Sequence, residues 1–172
     1  PDTILHNANE LFKKNTGMEL YALGELEFFL LSEPKSPIYV SSKQRGYHAS
    51  GPFVKSGLIL DEMVRYIAQI TGAVKYAHSE VGYVERVRSD LEEIREKQAE
   101  QLEIEFLPVP VEDAADDLVL ARWLIRNVAY RHDCVATFTP KLEEGVAGNG
   151  FHVHMELMQN GKNMMTDDDG QL

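Results

Sequence analysis

Two short stretches hold the side chains best suited to chemistry: Gly24-Glu25-Leu26-Glu27-Phe28-Phe29 and Gly150-Phe151-His152-Val153-His154-Met155. Both alternate, so both predict β-strands. Strand side chains point to opposite faces with a period of two. Glu25 and Glu27 therefore share one face, and Leu26 and Phe28 the other. His152, His154 and Glu156 share one face of the second strand, and Phe151, Val153, Met155 and Leu157 the other. Each strand offers an apolar face to a core and a row of metal-ligand side chains to something else. Neighbouring carboxylates repel, and a cation between them removes that cost. Hard oxygens with an imidazole suit Mg²⁺ or Mn²⁺ better than structural zinc, which takes thiolates or several histidines. Each motif alone is weak, since alternating Glu is commonly a solvated strand face and His-x-His pairs occur on many surface strands.

Such strands need a sheet and a core. A first helix is expected over residues 4–14, with Leu5, Ala8, Leu11 and Phe12 on one stripe and Gly17 as its stop. Strand one covers residues 19–31, and residues 33–52 have no steady period and read as a loop or ragged hairpin. A strong helix follows over 58–71, striped by Met63, Val64, Ile67 and Ile70 and ended by Gly72. Residues 74–81 read as a second strand. Residues 83–100 carry the capping-box pattern Ser89-Asp90-Leu91-Glu92 and then charged helix formers. With Leu91 and Ile94 as the apolar residues of that turn, a solvated, poorly packed helix is expected to project there as a surface insertion. Residues 102–106 are a third strand with Glu103 and Glu105 on one face, and Pro108-Val109-Pro110 breaks the pattern. A second long helix is expected over 114–130, with Leu118, Ala121, Leu124, Ile125 and Val128 on one side. Trp123 lies off that stripe, where it would meet another subunit or domain. Residues 135–138 and 151–158 are the last strands, joined by a loop made flexible by Gly145, Gly148 and Gly150. Short links favour antiparallel neighbours, so the expected fold class is α+β: a mainly antiparallel sheet with helices packed on one face. The other face would carry Glu25, Glu27, Glu103 and His152. There is no internal repeat.

A chain of 172 residues suffices for one domain with a real core, and a 44% hydrophobic content marks it as folded. No apolar run approaches the length of a membrane span, and no signal-peptide pattern is visible. The single cysteine, Cys134, excludes an internal disulfide and suits a reducing cytoplasm. No nucleophile signature surrounds it, so it reads as an inert buried thiol. The net charge of -11, from 17 basic and 28 acidic residues, argues against nucleic acid and anionic membranes as partners. Anionic substrates stay possible if cations hold them. The start at Pro1-Asp2-Thr3 and the aperiodic end from Thr166 to Leu172 read as those of an excised domain.

Taken together, six collinear motifs resemble the glutamine synthetases. Glu25-Leu26-Glu27-Phe28-Phe29 resembles the family's Glu-x-Glu-Phe-Phe strand, and His78-Ser79-Glu80-Val81-Gly82 its His-His-Glu-Val-Ala. Gln101-Leu102-Glu103-Ile104 resembles Gln-x-Glu-Ile, and Asn127-Val128-Ala129 resembles Asn-Val-Ala. Ala136-Thr137-Phe138-Thr139-Pro140-Lys141 is similar to Ala-Thr-Phe-Met-Pro-Lys. Gly150-Phe151-His152-Val153-His154 is similar to the end of the family's Asn-Gly-Ser-Gly-Met-His-x-His segment. The resemblance implies a glutamine synthetase-like catalytic domain, truncated, with residues 1–172 as one partial domain. The family's amino-terminal β-grasp domain and carboxy-terminal remainder would be absent. It implies a ligase that joins glutamate and ammonia with ATP, through an acyl phosphate and two divalent metals, Mg²⁺ or Mn²⁺. Carried over by position, Glu27, Glu80 and Glu103 match the ligands of the metal near glutamate. Glu25 and His152 match ligands of the metal near the nucleotide phosphates. His154 matches a nucleotide-side histidine, and Gly148 a backbone position in the glutamate-binding loop. No residue of the chain matches the catalytic base. The resemblance further implies a homo-oligomer with sites between subunits, so that this piece alone would not turn over.

The sequence departs from the family at Ser79, in place of a second histidine, at Ala147, in place of a loop asparagine, and across residues 83–100, in place of a short turn. A second register would put Glu96 at the Glu80 position, but His78 and Val81 favour Glu80. Two other functions fit the family resemblance: a γ-glutamyl ligase using another amine, and a non-catalytic binding or assembly module. A His-x-His β-barrel oxygenase does not suit the two long helices and the paired-Glu strands.

Overall fold

The computed structural model describes residues 2–34 and 38–167. Residues 35–37 of the expected loop and 168–172 of the acidic tail lie outside the described residues. The elements run α1 (Asp2–Thr16), β1 (Glu19–Ser32), α2 (Gly57–Thr71), β2 (Val74–Val84), β3 (Gln98–Phe106), β4 (Val109–Pro110), α3 (Val111–Arg131), β5 (Val135–Thr137), β6 (Phe151–Gln159) and β7 (Lys162–Asn163). The strands form one sheet in the order β2-β3-β1-β6-β7, with β4 and β5 also pairing with β1. Every pairing is antiparallel.

β1 is the axis of this sheet, and its alternation sorts the molecule into two sides. Leu26, Phe28 and Leu30 point with Leu102, Ile104 and Phe106 of β3 into the main core. There they meet Leu60, Met63 and Ile67 of α2 and Ala121, Leu124, Ile125 and Val128 of α3. α3 buries the stripe that its spacing predicts, whereas α2 buries Met63 and Ile67 of its expected stripe and half-buries Val64, but leaves Ile70 exposed and uses Leu60 in the core instead. Truncating Phe28, which is fully buried, would cost about 3–5 kcal/mol. Gly72 ends α2 in the left-handed conformation (φ 66°), its N–H returning to Ala68 O at 3.0 Å. Glu112 and Asp113 in the first turn of α3 and Arg131 in its last suit the helix dipole. Gly24 lets α3 lie against β1: a Cβ there would come within 2.6 Å of Leu118 Cδ2.

Besides the stripe of α1, where Ala8 and Leu11 are exposed and Asn9 is the buried residue, and Ile70 of α2, two larger expectations fail. Residues 83–100 are not a helix. β2 runs on to Val84, the chain turns through residues 85–97, and β3 starts at Gln98. Leu91 is indeed exposed, but Val87 is buried and Ile94 packs beside it. Local capping signals lost to hairpin pairing and to burial of Val87. The second failure is β6. Its apolar face was expected to meet a core, yet Phe151, Val153 and Met155 are 57%, 47% and 59% exposed. In register they lie beyond Leu26, Gly24 and Ala22, past the part of the sheet that α2 and α3 cover. Trp123 is exposed, as its place off the stripe implies, and Cys134 is buried with its thiol 3.3 Å from His132 O. No helix among the described residues is long and apolar enough to cross a membrane.

Candidate metal centre

The open face of the sheet collects the acids. Pairing sets Glu27 opposite Glu103, and Glu103 opposite His78. Two residues along β1, Glu25 stands opposite both Glu105 and His152. Four strands therefore deliver one patch, and backbone register alone places its members.

The side chains converge. Nδ1 of His152 lies 2.9 Å from Glu25 Oε2 and 3.9 Å from Glu27 Oε1, and Nε2 of His154 is 3.0 Å from Glu25 Oε1. Glu27 Oε2 accepts hydrogen bonds from Gln101 Nε2 (2.9 Å) and Gly150 N (3.0 Å). Gln101 Nε2 is also 3.0 Å from Gly148 O, while its Oε1 accepts from Gly82 N. Gly148 is thus tied to the patch through one amide. Its own lack of a side chain is required, because a Cβ would sit 2.2 Å from Pro140 O. Glu80 lies beside His78, with Oε1 3.6 Å from Nδ1. All seven residues singled out from the sequence therefore meet in one region.

The grouping differs from the one implied by resemblance. Donor atoms of Glu25, Glu103 and His152 lie within 4.8 Å of one another, and so do those of His78, Glu80 and Glu103. Glu103 belongs to both groups. Glu27 belongs to neither, and its carboxylate is oriented by Gln101 and Gly150. His78 enters instead. Glu96 of the second register is exposed in the connecting loop, paired with Arg86.

Electrostatics shows what the patch lacks. Burial, then the charges of Glu80, Glu27, Glu25 and Glu105, push the Glu103 carboxyl up to about 8. Among the described residues no Lys or Arg pairs with Glu25, Glu27, Glu80 or Glu103. Glu105 differs. Burial raises it, but the Tyr76 hydroxyl and Lys75, 3.0 Å away, outweigh that, and its carboxyl is lowered. The same bond to Glu105 pushes Tyr76 up to about 12. Nε2 of His78 is buried 2.9 Å from Glu103 Oε2 but off hydrogen-bonding geometry, so it has no hydrogen bond. A bare nitrogen donor among uncompensated carboxylates fits a divalent cation of hard preference.

Other contributors escaped sequence reasoning. The His48 ring stacks on His78 at 4.1 Å between centroids, with Tyr47 and Tyr76 beside them. His48 lies in the irregular 38–56 loop and had no periodic signal. Ser79, at the family's second-histidine position, uses its hydroxyl to hold that loop, at 2.6 Å from Gly46 O. Gln101 shares the face of Glu103, so alternation could have singled it out.

The whole chain, residues 1–172, matches the family model described as glutamine synthetase, catalytic domain. Glutamine synthetase of Thermus thermophilus is 29% identical over 169 residues, which is 97% of this chain and 34% of that protein. That of Pyrococcus horikoshii is 27% identical over 170 residues, 99% of this chain and 34% of that one. The solved Plasmodium falciparum glutamine synthetase superposes with a TM-score of 0.75 at 24% identity, covering 98% of this chain and 36% of its own. A crystal structure described as a novel glutamine synthase homolog gives 0.76 at 22%, covering 98% and 34%. The chain therefore spans about a third of the length of the relatives it matches. An antiparallel sheet with an acidic, histidine-flanked face and a match over its whole length together place the chain in the glutamine synthetase catalytic-domain family.

Proposed function

We propose that this chain is part of an ATP-dependent ligase that forms an amide between glutamate and ammonia. The observation that carries the reading is the sheet face on which donor atoms of Glu25, Glu103 and His152, and of His78, Glu80 and Glu103, converge beside Glu27, with no Lys or Arg among the described residues paired to these carboxylates. Glu25, Glu103 and His152 would hold one Mg²⁺ or Mn²⁺, and His78, Glu80 and Glu103 a second. Bound there, the cations supply positive charge that offsets charge building up on phosphate oxygens.

The protein's own residues do the rest. Gln101 and Gly150 fix the Glu27 carboxylate, and His152 and His154 fix Glu25, so the face is organised before substrates arrive. Glutamate's γ-carboxylate oxygen attacks the terminal phosphorus of ATP, and the bond to ADP breaks. Ammonia attacks the acyl carbon, loses a proton, and phosphate leaves. Gly148 would line the glutamate side and His154 the nucleotide side. On this reading residues 1–172 are part of a catalytic domain completed by chain beyond them, in a homo-oligomer working in the cytoplasm. Another amine in place of ammonia is the second reading; the change at Ala147, whose N–H donates to Gln44 Oε1 at 2.7 Å, bears on the glutamate side instead.

The test is phosphate release by the intact protein with ATP, glutamate, ammonia and a panel of amines, in Mg²⁺ and in Mn²⁺. Glu27→Gln keeps an oxygen for Gln101 and Gly150 but removes a charge. Activity should fall about a thousandfold, with folding retained. An intact protein that binds no nucleotide and releases no phosphate with any amine would leave a binding or assembly module as the function.

A further inference from the structure

The connection between β2 and β3 is a built structure. Val87 N donates to Lys97 O at 2.8 Å and Glu96 N to Val87 O at 2.9 Å, carrying the hairpin past Val84. The Arg95 guanidinium closes the tip on the carbonyls of Ser89 and Asp90, both at 2.9 Å. Val87 is 1% exposed. It belongs to a second apolar cluster with Phe29, Leu31, Val84 and Ala99, and Ile94, Leu142 and Val146 pack against that cluster.

Leu142 and Val146 lie in the glycine-containing loop of residues 138–150. A polar contact joins the same two segments: Arg88 N donates to Glu143 Oε1 at 2.8 Å. One residue past Val146, Ala147 N is bound by Gln44. Immediately beyond these anchors, Gly148 O meets Gln101 and Gly150 N meets Glu27. Glycines order themselves poorly, because the unfolded backbone loses the most freedom there. Something outside the loop must supply the order, and residues 85–97 touch it where the anchors begin.

We propose that the β2–β3 connection is a positioning element: it holds the glycine-containing loop where Gly148 and Gly150 reach Gln101 and Glu27, and so tunes the fit of the substrate bound against that loop. The tuning rests on the ligase reading; the positioning does not. Val87, Ile94 and Glu143 act through the loop and touch no reacting atom.

The experiment compares the intact protein with Glu143→Ala, Glu143→Gln and Val87→Ala. Amide hydrogen exchange in peptides covering residues 142–152 should quicken about tenfold in Glu143→Ala and Val87→Ala. Glu143→Gln keeps an amide oxygen for Arg88 N and should exchange like the parent. Mn²⁺ affinity should stay within about twofold in all three. The KM for glutamate should rise about tenfold in the first two, with kcat held. Unchanged exchange in both Glu143→Ala and Val87→Ala overturns the positioning role. Faster exchange at an unchanged KM overturns the tuning. If the parent protein releases no phosphate with any amine, the ligase reading falls by itself and exchange still decides the positioning. If Val87→Ala does not fold, Glu143→Ala and its rescue by Glu143→Gln decide it.

Discussion

Glu103 concentrates the physical problem of the site in one residue. It lies on the central region of the sheet, shared between two donor groups, with four other carboxylates acting on it. Its carboxyl titrates at about 8 against an ordinary 4.5. The folded state therefore holds the proton more tightly than the unfolded state. Its contribution to stability is full below about pH 4.5 and is lost as pH rises through about 8. In chelator, Glu103→Gln should remove that part of the loss. Thermal unfolding at pH 5, 6.5 and 8 should show the variant gaining on the parent as pH rises, while curves that stay parallel would contradict the assignment. A divalent cation must displace the same proton, so Mn²⁺ binding at pH 7 should release close to one proton, and close to none above pH 9. Calorimetry in buffers of different ionisation enthalpy measures that count. Alternation alone exposed Glu103, Glu25 and Glu27, because a period of two needs no tertiary knowledge. It could not show that Glu103 is shared, that His78 replaces Glu27 in a donor group, or that His48 stacks on His78, since those depend on the register between strands and on an aperiodic loop.

Strand β1 and helices α2 and α3 were legible because each has one face more buried than the other, and β3 because acidic and apolar residues alternate along it even though both of its faces are buried. The β2–β3 connection was not, because a capping box and charged residues are local signals, and Val87 is fixed by residues far along the chain. β6 misled for another reason: alternation says which residues share a face, not whether anything covers it. Glycines show the same limit. Gly82 lies just past the strand expected over residues 74–81, but a Cβ there would meet Gln101 Oε1 at 2.4 Å and Phe29 Cζ at 2.8 Å. Gly82→Ala should push Gln101 away from Glu27 and destabilise the protein by about 1–3 kcal/mol through overpacking. Loss of Mn²⁺ affinity without loss of the sheet's circular dichroism is the expected pair of results. Unchanged stability and affinity would mean that Gln101 is not fixed from β2.

At the scale of the whole molecule, the charge of -11 and the acidic face make a similar demand, because both favour bound cations. The two must be separated. A specific site stabilises the fold by mass action, about 2.7 kcal/mol at a hundredfold excess of cation over Kd. For a chain of this length that is a rise of roughly 5–10 °C in Tm. General screening acts on all 28 acidic residues and depends on ionic strength alone. Millimolar Mn²⁺ should therefore raise Tm well above what NaCl achieves at matched ionic strength, and chelator should reverse it. The increment should be larger at pH 8 than at pH 5.5, because below about 8 protons compete for Glu103. Removing one shared ligand should act on both donor groups together, so Glu103→Gln should cut the increment more than Glu80→Gln, which touches one group. Equal rises in Mn²⁺ and matched NaCl would assign the effect to net charge and remove the metal centre from the account of this fold.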